Sequence, residues 1–241
     1  MPTMDFETYL PTNVSAEEQQ RVLAAILENE DTAGIERMVV MPSPTAHPNN
    51  RVLAEAVKRE PRVLPCCQVN PHDPNALDEV EHAVTQLGMR MLKIMPLLYN
   101  CSLDSPMAHQ LMGKARDHKL IVNIHSGGYH CHPLQIGALA HRYPDVPVIM
   151  DHMGYRAWSH DAIIAAQDNP NIYLGTTLAS FEPGYIVRAV KDVGPERVIF
   201  GSNLLAAYAD LAAQAIRRQK LDPPVEALVL GGNLSRLYGL M

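Results

Sequence analysis

The chain has 241 residues, of which 47% are hydrophobic and 19% charged, with eleven His and four Cys. That length suits one undivided α/β barrel, and a charged fraction below the usual quarter implies that much of the chain is buried. Twenty Lys plus Arg against 26 Asp plus Glu give a net charge of −6, and no clustered basic excess marks a nucleic-acid surface. The longest apolar runs, such as Val146–Met150, are strand-sized, far short of the roughly 18 residues a membrane span needs. Met1–Asp5 opens without a basic or apolar leader. Adjacent Cys66 and Cys67, with lone Cys101 and Cys131, form neither a disulfide framework nor a C-x-x-C knuckle. A soluble, cytoplasmic, one-domain protein over residues 1–241 is the expectation.

Short β-rich runs recur along the chain. Strands are expected at Asp5–Tyr9, Arg37–Met41, Val63–Gln68, Met91–Ile94, Ile121–Ile124, Val148–Asp151, Ile172–Gly175 and Val198–Gly201. The spacing between successive ends is about one βα unit, and a parallel pair demands a crossover of a dozen or more residues. Helical periodicity fills the gaps. Ala16–Asn29 places Val22, Leu23, Ile26 and Leu27 on one face behind Ser15 as N-cap. Asn75–Leu87 repeats the pattern and ends on Gly88. His160–Gln167, Pro183–Val193 and Ala207–Gln219 follow suit. Eight units predict a single-domain (β/α)8 TIM barrel. No G-x-G-x-x-G or G-x-x-x-x-G-K-[ST] loop follows a strand, which disfavours a doubly wound sheet.

In such a barrel the strand C-termini face the site. Those ends carry Glu7 and Tyr9, then Lys93, His125, His152, Thr176 or Thr177, and Asn203. An ionisable group closing an apolar run is costly unless paired or ligating. Several on successive strands would converge on one point.

These residues resemble the amidohydrolase superfamily, in its amidohydrolase-related group of small-ring hydrolases, lactonases and non-oxidative decarboxylases. The resemblance rests on Ala33–Val40, Gly88–Lys93, Ile124-His125-Ser126-Gly127, Asp151-His152-Met153-Gly154, Ile199-Phe200-Gly201-Ser202-Asn203 and the closing Leu230–Leu240. It implies a metal-binding H-x-H on the first strand, where Glu7 and Tyr9 stand here, and an Asp on the eighth, where Asn203 stands. The histidines of the fifth and sixth strands are present as His125 and His152.

A catalytic metal needs about three protein ligands and an open position. Glu7 and His125 are the candidate ligands of a divalent ion, zinc or manganese, with the metal optional. Tyr9 stays protonated near neutrality and is a poor ligand. Asn203 could offer an amide oxygen, yet it cannot accept a proton. The leading expectation is a hydrolase of a small cyclic or carboxylated substrate, with a lactone- or amide-like bond. His152 or Glu7 would activate water while His125 and Lys93 polarise the carbonyl. Lys93 could instead only balance Glu7 across the mouth. One alternative is non-oxidative decarboxylation of an aromatic acid, with Glu7 and His125 on a metal and His152 as proton donor. Another is a catalytically silent ligand-binding barrel.

After the fifth strand, His130 and His132 would share a side if the segment were extended, either as replacement donors or as surface residues of a lid. Tyr155, Arg156 and Trp158 suit a planar anionic substrate, or packing on the following helix. The expected partner is a small-molecule substrate, with a homo-oligomer left open and no membrane or nucleic acid.

Overall fold

Strand β1 (Met4–Leu10) is buried at every position, as a strand covered on both faces must be. In the computed structural model, which describes residues 1–155, 157–178, 182–204 and 208–240, β1 lies parallel to β2 (Arg37–Pro42). Strand β3 follows in two segments, Val63–Pro65 and Cys67–Gln68. Cys66 bridges them and still donates its N–H to Val40 at 2.8 Å. Next come β4 (Met91–Ile94), β5 (Ile121–Ile124), β6 (Val148–Met150), β7 (Ile172–Gly175) and β8 (Val198–Ile199), each parallel to its predecessor. The ring closes where Phe6 N–H reaches the Phe200 carbonyl (3.2 Å), Asn203 N–H that of Glu7 (3.0 Å) and Tyr9 N–H that of Leu204 (2.7 Å). The fold is a (β/α)8 TIM barrel.

The outer layer runs α1 (Ala16–Ala33), α2 (Asn50–Val57), α3 (Ala76–Thr85), the single turn α4 (Pro96–Tyr99), and α5 (Pro106–Asp117). It continues with α6 (Pro133–Arg142), α7 (Ser159–Asp168), α8 (Gly184–Val193), α9 (Ala209–Arg217), α10 (Pro223–Ala227) and α11 (Asn233–Tyr238). Ser15 caps α1 by accepting the Glu18 N–H at 3.2 Å, and Gly34 ends it at φ 74°. That helix runs a turn beyond the expected Asn29, because Ile26, Glu30 and Ala33 keep burying the same face. The α9 helix begins at Ala209, and Ala207 lies outside the described residues. None of the described helices is long and apolar enough to cross a membrane.

One core fills the space between strands and helices. A second occupies the barrel, where Met4, Phe6, Val39, Met91, Ile121 and Ile149 meet Leu234 and Tyr238 of α11. Two features aim the site. Between Asp5 and Thr8 the β1–β2 register gains one residue, a bulge that turns Glu7 and Tyr9 into the barrel. A Cβ on Gly175 or Gly201 would stand 2.5 Å from the Phe6 ring, so glycine at both positions makes room for it.

Candidate active site

Lys93 is next to last in β4 with its side chain wholly buried among apolar strands, and its ammonium donates to three acceptors. They are Glu7 Oε2 (3.2 Å), Asn123 Oδ1 (3.2 Å) and Asp151 Oδ2 (2.5 Å). An ammonium has three N–H groups, so none is left for a substrate. Burial works against its charge, but Asp151 and Glu7 outweigh that cost and hold its pKa above the ordinary value. Lys93 therefore lies behind the catalytic surface; the expected role as an oxyanion donor does not fit its geometry.

Glu7 is equally saturated. Its Oε1 accepts Tyr9 OH at 2.6 Å, and its Oε2 takes both Lys93 and Asn123 Nδ2, the latter at 3.1 Å. Burial first, then the charges of Glu7 and Asp151, raise Tyr9 well above a free phenol, so it stays protonated. With three donors on its roughly four lone-pair sites and no solvent exposure, Glu7 is poorly placed as a metal ligand or as a base. Sequence reasoning had placed Glu7 in both roles.

The side chains still available are the imidazoles of His125 and His152, which both face Asp151, a carboxylate already holding Lys93 on Oδ2 and Ser126 on Oδ1. His125 Nδ1 lies 3.4 Å and His152 Nε2 3.5 Å from the same Asp151 Oδ2. The two imidazoles meet edge to face with ring centres 5.0 Å apart. Asp151 follows β6 in a tight turn where His152, Met153, Gly154 and Tyr155 all take positive φ, between 47° and 74°. Non-glycine residues resist that region, so other groups must hold the turn. Ser126 N–H donates to Asp151 Oδ1 (2.6 Å), and its hydroxyl donates to the Asp151 carbonyl while accepting Gly154 N–H (2.9 Å). Thr177 Oγ1 accepts the backbone N–H of His152 (2.9 Å) and lies 2.7 Å from its Nδ1. Burial opposes the Asp151 charge, yet His152, Lys93 and His125 together hold its pKa well below the usual carboxylate range. Burial lowers His152, with His125 and Lys93 adding to the effect against the pull of Asp151 and Glu7.

The donor set fits a divalent ion. Ligands about 2.0–2.1 Å from a tetrahedral ion stand roughly 3.3–3.4 Å from one another, close to the separations here. The three donor atoms lie within 4.8 Å of each other. With neutral imidazoles, the two carboxylates and one ammonium leave a net charge of −1, which attracts a cation and which a single proton would balance. Of the two expected ligands only His125 belongs to this group, and Asp151 and His152 complete it.

Other expected residues stand apart. Asn203, at φ 62°, gives its backbone N–H to Glu7 and is 7% exposed. The segment with His130 and His132 is not extended. His130 takes φ 63° and pairs with Asn100 Oδ1 (2.9 Å), whereas His132 caps α6 and meets Asp161 (3.2 Å), so they are no metal pair. Tyr155 is exposed with its ring 6.3 Å from that of His152, and Trp158 packs edge-on against His132. Arg156 lies outside the described residues. Sequence reasoning missed Asp151, Asn123 and Ser126. Asn123 had one readable signal: it is the single polar residue inside β5 and pairs in register with Lys93.

The sequence pattern of the family described as Amidohydrolase matches residues 11–240. The chain belongs to that family, a family of enzymes. No curated protein matches in sequence. Among solved structures the amidohydrolase chain is similar to an uncharacterized TIM-barrel protein from Bordetella bronchiseptica, with 18% identity, 99% of each chain covered and a TM-score of 0.83. It is also similar to 5-carboxyvanillate decarboxylase from Sphingomonas paucimobilis, with 16% identity, 99% of each chain and a TM-score of 0.76. A third is dihydroxybenzoic acid decarboxylase from a Polaromonas species, bound to manganese and 2-nitroresorcinol, with 17% identity, 99% and 97% coverage and a TM-score of 0.77. At these identities the likeness speaks for the fold.

Proposed function

We propose that this amidohydrolase hydrolyses a lactone- or amide-like bond in a small cyclic substrate, using His125, Asp151 and His152. One observation carries the reading. Two imidazoles lean on a single carboxylate oxygen while Glu7 and Lys93 behind them are fully engaged. His152, lowered by burial, is a neutral imidazole near pH 7. With Nδ1–H donated to Thr177, its Nε2 lone pair can take a proton as water adds to the carbonyl. The imidazolium so formed lies beside Asp151, which stabilises it. His125, the more exposed ring, is placed to donate to the carbonyl oxygen. The proton on His152 then passes to the leaving group as its bond to carbon breaks, which yields a carboxylic acid. Tyr155 beside His152 supplies an aromatic wall for a planar ring. A zinc or manganese ion held by His125, Asp151 and His152 would take up the His152 lone pair and would supply Lewis-acid polarisation of the carbonyl in place of the imidazole pair.

A lactone panel followed by acid release in a pH-stat tests this. His125→Ala and His152→Ala should each lower kcat/KM by about 100-fold or more. Thr177→Val, which removes only the partner of Nδ1, should lower it by about 10–100-fold with little change in melting temperature. Lactonase activity that survives His152→Ala defeats the reading. Metal analysis of dialysed protein gives a second check: any bound ion should be lost in Asp151→Asn and retained in Glu7→Gln.

A second reading, decarboxylation of an aromatic acid with His152 as the proton donor at carbon, draws support from the decarboxylases whose fold this chain shares, although Glu7, engaged by Tyr9, Lys93 and Asn123, is not free to ligate a metal in it. Release of CO2 from 2,6-dihydroxybenzoate without lactone hydrolysis would select it.

A further inference from the structure

Asp5 of β1 and Glu30 of α1 are both completely buried, on the far side of β1 from His125 and His152. Asp5 Oδ1 accepts the backbone N–H of Glu7 at 2.8 Å, and both its oxygens accept that of Ser202 at 3.1 Å. Glu7 in turn receives the Asn203 N–H on its carbonyl. Asp5 thus pins the seam where β1 meets the end of β8, one residue from Asn203 and two from Glu7. An anionic carboxylate suits that task, because two backbone N–H groups, one from β1 and one from the segment after β8, converge on it.

Glu30 has no such support. Among the described residues no donor reaches either of its oxygens. Its charged surroundings are Asp5 across from it, Asp31 beside it on α1, and Arg62. Arg62 is spent on Asp31 (2.7 Å) and on the carbonyls of Ile35 and Glu36. Two facing carboxylates in a dry layer cannot both stay ionised. If Glu30 keeps its proton, its O–H can donate to Asp5, and its empty hydrogen-bonding capacity is filled. Burial above all, reinforced by Asp5, pushes Glu30 up to about 10. Burial likewise raises Asp5, to about 7, against its bonds from Ser202 and Glu7.

We infer that Glu30 and Asp5 share one proton, and that this proton positions the β1–β8 seam on which Glu7 and Asn203 stand. Glu30 is a positioning residue: it holds Asp5 in place as an acceptor and touches nothing at the mouth. Loss of its proton sets two negative charges against each other and draws Asp5 away from the N–H groups of Glu7 and Ser202.

The inference is independent of the reaction, so its test uses the protein without substrate. Carboxyl-carbon NMR of 13C-labelled protein should show Glu30 protonated at pH 7 and titrating in the alkaline range. The amide protons of Glu7 and Ser202 should sit downfield, as in charge-assisted bonds, and move along the same titration. In Glu30→Gln, whose amide can still donate to Asp5, those two amides should keep their positions and lose the alkaline transition. In Glu30→Leu they should shift at pH 7. An ionised Glu30 at pH 7 overturns the inference. So do Glu7 and Ser202 amides that titrate in Glu30→Gln as they do in the parent. If Glu30→Leu fails to fold, the direct titration and the Gln variant still decide.

Discussion

Lys93 shows how a single residue sets what the rest of the site can do. Its three N–H groups bind Glu7, Asn123 and Asp151, which lie on three other strands or their ends, so one cation ties four sectors of the mouth together. Removing one partner of a buried ion cluster leaves an uncompensated charge, which costs about 3–5 kcal/mol. Lys93→Met should therefore lower stability by about that much in urea unfolding. Lys93→Met combined with Asp151→Asn should cost less than the single change, since one orphan charge goes with it. A double-variant loss equal to the sum of the two single losses would mean that the two groups do not depend on each other. The counterpart of Lys93 is Ser126. Its backbone and hydroxyl make three bonds to the Asp151–Gly154 turn, and no substrate need ever touch it.

Among the elements, β1 carries the most information, because its bulge brings Glu7 and Tyr9 into the same space as Lys93. Strict alternation from Met4 and Phe6, both inward, would have turned Glu7 outward. Phe6 fits its layer only because β7 ends in glycine and the residue two beyond β8 is glycine as well. Gly201→Ala should cost about 1–3 kcal/mol from overpacking, read as a lowered melting temperature. Adding Phe6→Leu should recover part of that loss. If the double variant is merely the sum of the two single losses, the Phe6 contact is not the reason for the glycine.

At the scale of the whole molecule, buried ionisable groups pull stability in opposite directions with pH. Asp151 is depressed in the folded state, so its contribution is complete above the ordinary carboxyl value of about 4 and is lost as pH falls through the lower folded one. Asp5 and Glu30 are raised, so the folded chain holds their protons more tightly than the unfolded chain. Their contribution is complete below about pH 4, declines as pH rises, and is exhausted near 10. The melting temperature should peak at mildly acidic pH and fall steadily from pH 7 to 10, with the alkaline fall reduced in Glu30→Gln. A melting temperature that climbs between pH 6 and 9 would contradict this balance.

Eight strand–helix units, the barrel they form and the His125 and His152 positions were legible in the chain, because short apolar runs at regular intervals and polar residues closing them are local signals. Glu7 and Lys93 were legible as mouth residues, and even their mutual pairing could be anticipated. What they are free to do was not, since that depends on how many partners reach each atom. Asp151 was visible only as the residue before His152. Its place between two imidazoles comes from a turn with four positive φ angles, held by Ser126 and Thr177 from neighbouring strands. The sequence by itself determined the architecture and the family, which follow from hydrophobic periodicity and short ordered motifs. Only the tertiary structure brought His125, Asp151 and His152 together as a candidate site, because hydrogen-bond partners are atoms gathered from distant parts of the chain.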